Sequence, residues 1–307
     1  MVHPRVLVTP RSLSSAPGRA RALLAVNGLE AVFPPPGDQP SPQTLIDLLP
    51  GCVGWIAGVE PIGDAVLQHA VDLRVISRYG SGTDTVDMMA AEAYGITVLS
   101  APGANAQGVA ELAVAFTLDC LRSVSASSQA LREGRWERHQ GREIRGLSVA
   151  TVGLGAIGQR YADAMTALGA TVCAVDPVVT PRAGIRLVGS LEEVVHEVDV
   201  ISLHCPARRG EGPLIGADLL ARARTGVVLV NTARAELVDE EALLAALEDG
   251  RVGWYAVDAF RTEPPPPSRL LRHPHVLPTP HIGAYTTEAA ERTLQAAVVN
   301  LVEGLRH

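Results

Sequence analysis

Ser148-Val-Ala-Thr-Val-Gly-Leu-Gly-Ala-Ile-Gly158 is the stretch of sequence that decides the fold. Its first five residues are mostly apolar or β-branched and predict a buried strand, which runs directly into three spaced glycines. Gly153 allows a tight turn, Gly155 lets the backbone approach a pyrophosphate, and Gly158 permits close packing of a helix on the strand. The amide groups at the start of that helix would face the phosphates. The stretch therefore predicts a dinucleotide-binding site.

A carboxylate follows at the distance that such a site needs. The next predicted strand, Thr171–Val175, ends at Asp176, which lies 18 residues beyond Gly158. An acidic residue there hydrogen-bonds the adenosine ribose hydroxyls and repels a 2′-phosphate, so NAD is favoured over NADP. Arg182 is close enough in sequence to leave NADP as the less favoured alternative.

Further from this stretch, short apolar runs alternate with amphipathic helical stretches in two series, which is the pattern of parallel sheets with crossover helices. The predicted strands are Arg5–Thr9, Ala31–Phe33, Val53–Ala57, Arg74–Ser77 and Thr97–Ser100 in the first series, and Ser148–Val152, Thr171–Val175, Val200–His204, Val227–Asn231 and Trp254–Asp258 in the second. A chain of 307 residues also suits two domains. We expect one long helix across 105–132, linking the domains and offering an apolar face to a partner subunit, and a last helix across 286–305 that returns to the first domain.

The composition excludes several classes of protein. All 26 basic residues are arginine, so no Schiff-base, pyridoxal-phosphate or Walker-type lysine exists. A net charge of −7 without a basic stripe argues against a nucleic-acid partner, and no apolar run approaches the roughly 20 residues of a membrane span. The first ten residues do not resemble a signal peptide, and the four cysteines lack metal or redox spacing. We expect a cytoplasmic enzyme with reduced thiols and no metal site.

Three charged residues follow strands of the second series, at the sheet edge where doubly wound folds bind ligands. They are Arg234, Glu263 and His281. Reduction of a 2-oxo acid needs a fixed cation to hold the substrate and polarise its carbonyl group, together with a proton donor. Arginine offers bidentate contact to a carboxylate, and a histidine beside a carboxylate stays protonated near neutral pH. These residues would therefore suit the reduction of a 2-oxo acid.

With these motifs in place, the sequence resembles the D-isomer-specific 2-hydroxyacid dehydrogenases over most of its length. The segments that carry the resemblance are 78–87 (Arg-Tyr-Gly-Ser-Gly-Thr-Asp-Thr-Val-Asp), 105–111 (Asn-Ala-Gln-Gly-Val-Ala-Glu), the glycine motif, 231–234 (Asn-Thr-Ala-Arg), 263–264 (Glu-Pro) and 280–283 (Pro-His-Ile-Gly). The resemblance implies an α/β fold of two doubly wound parallel-sheet domains. A Rossmann NAD-binding domain, residues 102–281, would be inserted into a flavodoxin-like substrate domain made of residues 1–101 and 282–307.

The resemblance also implies roles for individual residues. His281 would be the general acid/base, Glu263 its orienting partner and Arg234 a substrate ligand. The backbone amides of Ser81 and Gly82 would hold the substrate carboxylate, and Asp258 would contact the nicotinamide amide. The expected cofactor-binding residues are Gly153, Gly155, Ala156, Ile157, Gly158, Asp176, His204, Cys205, Pro206, Thr232, Ala233, Arg234, Asp258, His281 and Gly283. Family members are typically homodimers through the nucleotide domain.

The substrate stays open between two candidates. The chain looks most like phosphoglycerate-dehydrogenase-type members, notably at 78–87 and at Trp136-Glu-Arg138, but Ala57 stands near the position of a phosphate-binding arginine. No basic residue occurs between Gly28 and Leu73. We therefore expect a small unphosphorylated acid such as glyoxylate, hydroxypyruvate or pyruvate, with 3-phosphoglycerate second and no regulatory domain after His307. The alternative from another class is an NAD-sensing scaffold similar to corepressors of this family. Ala235 replaces a usual glycine, with no assigned effect.

Overall fold

A computed structural model describes residues 3–37, 39–178, 184–207 and 210–306. The chain divides into two compact units. The first combines Met1–Asn105 with Thr287–His307, and the second is Ala106–Thr286.

The first unit begins with five strands and five helices. In chain order these are β1 (Arg5–Val8), α1 (Arg11–Ser15), α2 (Gly18–Val26), β2 (Glu30–Val32), α3 (Pro42–Leu48), β3 (Cys52–Ala57), α4 (Asp64–Leu67), β4 (Val75–Arg78), α5 (Met88–Ala93) and β5 (Thr97–Leu99). The strands form one parallel sheet in the order β2-β1-β3-β4-β5. β1 and β3 are buried along most of their length because helices cover both faces of the sheet, which explains why they read as unbroken apolar runs.

The second unit is a larger parallel sheet. Its elements are α6 (Ala106–Arg122), α7 (Val124–Arg132), β6 (Ser148–Val152), α8 (Ala156–Ala167), β7 (Thr171–Val175), β8 (Arg186–Val188), β9 (Val200–Leu203), α9 (Ala217–Arg222), β10 (Val227–Asn231), α10 (Glu240–Glu248), β11 (Val252–Val257) and β12 (Val276–Pro278). The strand order is β12-β11-β10-β9-β6-β7-β8, again all parallel. These two orders are those of a flavodoxin-like and a Rossmann sheet, so the predicted fold class is confirmed.

The last helix, α11 (Thr287–Arg306), completes the core of the first unit. Its buried residues Leu294, Val298 and Leu301 join the cluster that covers one face of β1, β3 and β4. The helix packs so closely that a Cβ on Gly54 of β3 would lie 2.8 Å from the Leu301 Cδ1 atom. The first sheet therefore depends on a segment far away in sequence.

The prediction of one long helix across 105–132 was wrong. The segment forms two helices, α6 and α7, because Ser123 takes a left-handed backbone with φ of 50°. The Asp119 carboxylate accepts hydrogen bonds from the backbone N–H (2.8 Å) and the hydroxyl of Ser125, which secures the start of α7. The short elements α1, β8 and β12 were missed because three to five residues show no clear periodicity. Among the described residues, no helix is long and apolar enough to cross a membrane.

Candidate active site

The glycine motif forms a tight turn between β6 and α8. Gly153 has a φ of +91°, and a Cβ there would lie 2.7 Å from the His204 carbonyl carbon and 2.8 Å from the Cys205 nitrogen. A Cβ on Gly158 would lie 1.9 Å from the Gly153 carbonyl oxygen, so only glycine allows α8 to sit this close to the turn. A Cβ on Gly155 would meet no atom within 4 Å. The space beside Gly155, at the start of α8, is thus open to a ligand.

Asp176 is fixed to this turn by hydrogen bonds. Its Oδ2 atom accepts the Leu154 backbone N–H at 2.7 Å, and its Oδ1 atom accepts the Val178 N–H at 2.9 Å. The carboxylate is partly exposed at the end of β7, beside the glycine turn. Arg182, the source of the NADP alternative, lies outside the described residues.

Two buried polar atoms at the edge of the second sheet also fit a nucleotide cofactor. His204 Nδ1, after β9, and Thr232 Oγ1, after β10, have no hydrogen-bond partner among the described residues. Buried groups of this kind are normally satisfied, so an ordered water or a bound ligand is the expected partner. The Nε2 atom of His204 lies 2.9 Å from the Ser202 hydroxyl, and burial lowers the pKa of His204 to about 3. This imidazole is therefore neutral and suited to lining a site rather than to proton transfer at neutral pH. Cys205 and Pro206, which follow it, are partly and largely exposed respectively.

Arg234 is positioned by a buried amide that the sequence analysis did not single out. Asn231, the last residue of β10, is fully buried. Its Nδ2 atom donates to the Arg234 carbonyl oxygen at 2.8 Å, and its Oδ1 atom accepts the Ala233 N–H at 3.0 Å. Both bonds fix the turn that carries the guanidinium. The signal in the sequence was an asparagine at a strand end, a residue type that often bonds the backbone just beyond it.

His281 and Glu263 form a hydrogen-bonded pair. The His281 Nδ1 atom lies 2.7 Å from Glu263 Oε1, which also accepts the Phe260 N–H at 3.2 Å. The hydrogen bond to Glu263 raises the pKa of His281 above its usual value, burial opposes it, and the positive charge of Arg234 lowers it. The negative charges of Glu263 and Asp258 raise it further. The structure therefore brings together the three residues predicted to act in catalysis.

Asp258 holds the backbone around His281. It is buried, with 2% of its surface exposed. Its Oδ1 atom accepts the Ile282 N–H at 2.7 Å and the Thr279 hydroxyl, and its Oδ2 atom accepts the Gly283 N–H at 2.8 Å. His281 itself has a φ of 53°, a conformation that this set of bonds maintains. The predicted contact of Asp258 with the nicotinamide amide stays a prediction.

In the first unit, the loop that contains Ser81 and Gly82 directly follows β4. The Ser81 hydroxyl donates to the Asn105 side-chain oxygen at 3.1 Å, and the Gly82 carbonyl accepts the Arg78 Nε–H at 2.9 Å. The loop is thus held from both sides by its own unit. No group of three His, Cys, Asp or Glu side chains that could bind a metal occurs in the described ranges.

The sequence of this chain is similar to those of known dehydrogenases. The family model for the "D-isomer specific 2-hydroxyacid dehydrogenase, NAD binding domain" matches residues 114–283, more than half of the chain. The D-3-phosphoglycerate dehydrogenase of Mycobacterium tuberculosis is 40% identical over 262 residues, which cover 83% of this chain and 49% of the relative. The hydroxypyruvate reductase of Thermotoga maritima is 37% identical over 233 residues, covering 74% of this chain and 76% of the relative.

A crystal structure of the TT0316 protein of Thermus thermophilus superposes with a TM-score of 0.89 at 35% identity. The superposition covers 98% of this chain and 97% of that one. In contrast, the chain spans about half the length of the first curated relatives that it matches.

Proposed function

The chain belongs to the D-isomer-specific 2-hydroxyacid dehydrogenases, and from that premise we propose that it is an NAD-dependent oxidoreductase acting on a small 2-hydroxy or 2-oxo acid. The observation that carries the proposal is the His281–Glu263 pair at 2.7 Å, with the charge of Arg234 acting on the same imidazole. A protonated histidine beside a fixed arginine is what reduction of a 2-oxo acid requires.

The residues divide the work of that reaction. When bound, the nicotinamide supplies the hydride for reduction and takes it up in oxidation. Arg234 binds the 2-oxo acid and polarises its carbonyl bond. His281 donates the proton to the carbonyl oxygen as that oxygen gains negative charge, and Glu263 orients the imidazole and stabilises the protonated form that precedes the transfer. In oxidation, neutral His281 removes the hydroxyl proton.

We assign the cofactor to the second unit and the substrate carboxylate to the first. The glycine turn, Asp176 and the buried polar atoms after β9 and β10 support the placement of NAD. The Asp176 carboxylate supports NAD over NADP because it would repel a 2′-phosphate. The backbone amides of Ser81 and Gly82 would bind the substrate carboxylate. The predicted boundaries, residues 1–101 with 282–307 for substrate and 102–281 for NAD, belong to the same proposal.

A second candidate is D-3-phosphoglycerate dehydrogenase activity. The relative from M. tuberculosis that bears this name, at 40% identity, favours it. The relative named hydroxypyruvate reductase supports the unphosphorylated alternative at nearly the same identity, 37%. The two relatives therefore each support one of the candidate substrates.

We also propose a cytoplasmic homodimer. Leu118, Val124 and Leu131 of α6 and α7 expose 39%, 58% and 58% of their surfaces, which suits an interface. The four cysteines, all within the described residues, are free thiols, and three of them are buried. Analytical ultracentrifugation tests the assembly, since a monomer at micromolar concentration contradicts it.

The decisive experiment is a steady-state screen of the purified protein with NADH and NADPH against glyoxylate, hydroxypyruvate, pyruvate and phosphohydroxypyruvate. We expect NADH-dependent reduction of at least one of them. Binding of NADH without turnover of any 2-oxo acid would instead support a nucleotide-sensing scaffold. His281→Ala is the matched control, because contaminating dehydrogenase activity would survive it.

A further inference from the structure

The edge of the first sheet at the carboxyl ends of β1 and β3 is a ligand-binding position in folds of this kind. The strand order reverses between these two strands, and ligands of doubly wound sheets bind in the crevice at such a switch point. The residues that follow the two strands are Thr9 and Gly58. Their hydroxyl and backbone N–H are donors of the kind that would bind an anion.

In this protein the side chain of Glu60 accepts the hydrogen bonds of both donors. The Glu60 Oε1 atom accepts the Gly58 N–H at 2.9 Å and the Thr9 hydroxyl. Thr9 in turn accepts the Trp55 indole N–H at 2.9 Å. Glu60 is only 1% exposed, so this is an internal acid rather than a surface one.

The space is also filled. A Cβ on Gly58 would lie 2.6 Å from the other Glu60 oxygen, Oε2, and 3.1 Å from the Pro10 Cα atom. The carboxylate therefore packs directly against the backbone at the end of β3, where a group carried by a ligand would have to lie.

Arg78 connects the end of β3, where Glu60 is bound, to the proposed substrate loop. Its guanidinium, on a residue that is 5% exposed, donates from Nη1 to the Ala57 carbonyl at 2.8 Å and from Nε to the Gly82 carbonyl at 2.9 Å. The peptide group between Ala57 and Gly58 thus has a buried cation on its oxygen and a buried anion on its N–H. The Ser81–Gly82 loop begins at the other side of the same guanidinium.

We infer that Glu60 is a specificity-determining residue, which fills the anion position of the first sheet and so excludes acids that carry a phosphate besides the carboxylate held at Ser81 and Gly82. This inference rests on the proposed function and decides between its two candidate substrates. A phosphate carries a charge close to −2, and repulsion from a buried carboxylate across a protein of low dielectric constant is felt over several ångströms. The carboxylate of the substrate would bind instead to the Ser81–Gly82 loop, which is hydrogen-bonded to Arg78.

The wild-type protein provides the first test. We expect a higher kcat/KM for hydroxypyruvate than for phosphohydroxypyruvate, and tighter binding of D-glycerate than of D-3-phosphoglycerate by isothermal titration calorimetry in the presence of NAD. A preference for the phosphorylated compound in either measurement overturns the inference. Because the binding measurement needs no turnover, an inactive protein with the expected binding preference would refute the dehydrogenase and leave the role of Glu60 standing.

The variant Glu60→Gln keeps the shape of the side chain and removes its charge. We expect the phosphorylated-to-unphosphorylated ratio, in kcat/KM and in affinity, to rise about tenfold. The control is Glu30→Gln, the same change at an exposed residue at the amino end of β2 in the same sheet. A rise of less than threefold in Glu60→Gln, or an equal rise in the control, contradicts the inference. If Glu60→Gln does not fold, the wild-type preferences still decide.

Discussion

His281 is held by its neighbours in an uncommon backbone conformation and in a fixed ring orientation. Its backbone is left-handed, its Nδ1 atom is hydrogen-bonded to Glu263, and Asp258 accepts hydrogen bonds from Thr279 before it and from Ile282 and Gly283 after it. Arg234 and Glu263 could be predicted because they follow predicted strands, and His281 because it stands in the Pro-His-Ile-Gly segment, 280–283, that carries the family resemblance. Asp258 supports the loop of His281, and Asn231 supports the turn of Arg234. Neither role was predicted, because hydrogen bonds from side chains to the backbone produce no recognisable residue pattern in a sequence.

At this scale the first prediction concerns pH. The hydrogen bond to Glu263 raises the pKa of His281, so reduction, which needs the imidazolium, should lose rate only as the pH rises through a value above 6.5. Oxidation should gain rate over the same range. Glu263→Gln removes the main cause of the shift and should move both inflections to lower pH. Profiles of kcat/KM in both directions measure this, and an unchanged inflection would contradict the pairing.

His281→Ala should lower kcat by about 10²–10⁴-fold, the usual contribution of a general acid or base. The Kd of NADH, measured by fluorescence titration, should change little if the role is proton transfer. The matched substitution His196→Ala, at an exposed histidine of the same unit, should leave kcat within twofold. A loss of activity shared by both variants would point to general damage.

Asp176→Ala tests cofactor choice at a residue that contacts the glycine turn. The carboxylate is expected to repel a 2′-phosphate, so its removal should narrow the preference for NADH over NADPH by at least tenfold. The ratio of kcat/KM for the two cofactors is the measurement. A wild-type protein that already favours NADPH would refute the assignment.

At the scale of elements, two glycines of the β6–α8 turn have different functions: Gly158 allows close packing, and Gly155 leaves space for a ligand. Gly158→Ala forces a Cβ to 1.9 Å from the Gly153 oxygen and should destabilise the protein by about 1–3 kcal/mol. Gly155→Ala meets no protein atom within 4 Å and should leave stability unchanged while weakening NADH binding. Thermal denaturation and fluorescence titration of both variants distinguish these effects. Equal losses of stability in the two variants would be inconsistent with the geometry.

At the break between α6 and α7, a substitution is expected to raise the stability of the protein instead of lowering it. A left-handed conformation costs a non-glycine residue about 1–2 kcal/mol, whereas glycine costs about 0.5–1 kcal/mol in chain entropy, so Ser123→Gly should stabilise the protein by roughly 0.5–1 kcal/mol. Ser128→Gly, inside α7, should destabilise it by a few tenths of a kcal/mol. Chemical denaturation measures both.

The elements themselves were largely readable from sequence. Ser148–Val152, Thr171–Val175 and Val227–Asn231 were predicted with the bounds that the structure shows, because they are buried apolar runs between glycine or polar turns. The helix break was not, since the apolar spacing of 105–132 continues through Ser123. Only the backbone angle of that residue and the hydrogen bonds that the Asp119 carboxylate accepts from Ser125 reveal the interruption.

For the whole molecule, cofactor binding should appear as added stability. A ligand that binds only the folded state adds about 2.7 kcal/mol at 100 times its Kd. NADH should therefore raise the melting temperature in a concentration-dependent way, and NADPH at equal concentration should raise it less. The absence of any shift with either cofactor would refute binding by the native protein. Gly155→Ala, expected to fold normally, should show a smaller shift.

The position of α11 has a consequence for the order in which the chain can fold during its synthesis. The core of the first unit includes Leu294, Val298 and Leu301, which the ribosome adds only after the whole of Ala106–Thr286. At typical rates of translation this delay is roughly 10–40 s. The unit encoded first is thus the last whose core can close, and its exposed sheet would be the part of the nascent chain most in need of protection by chaperones.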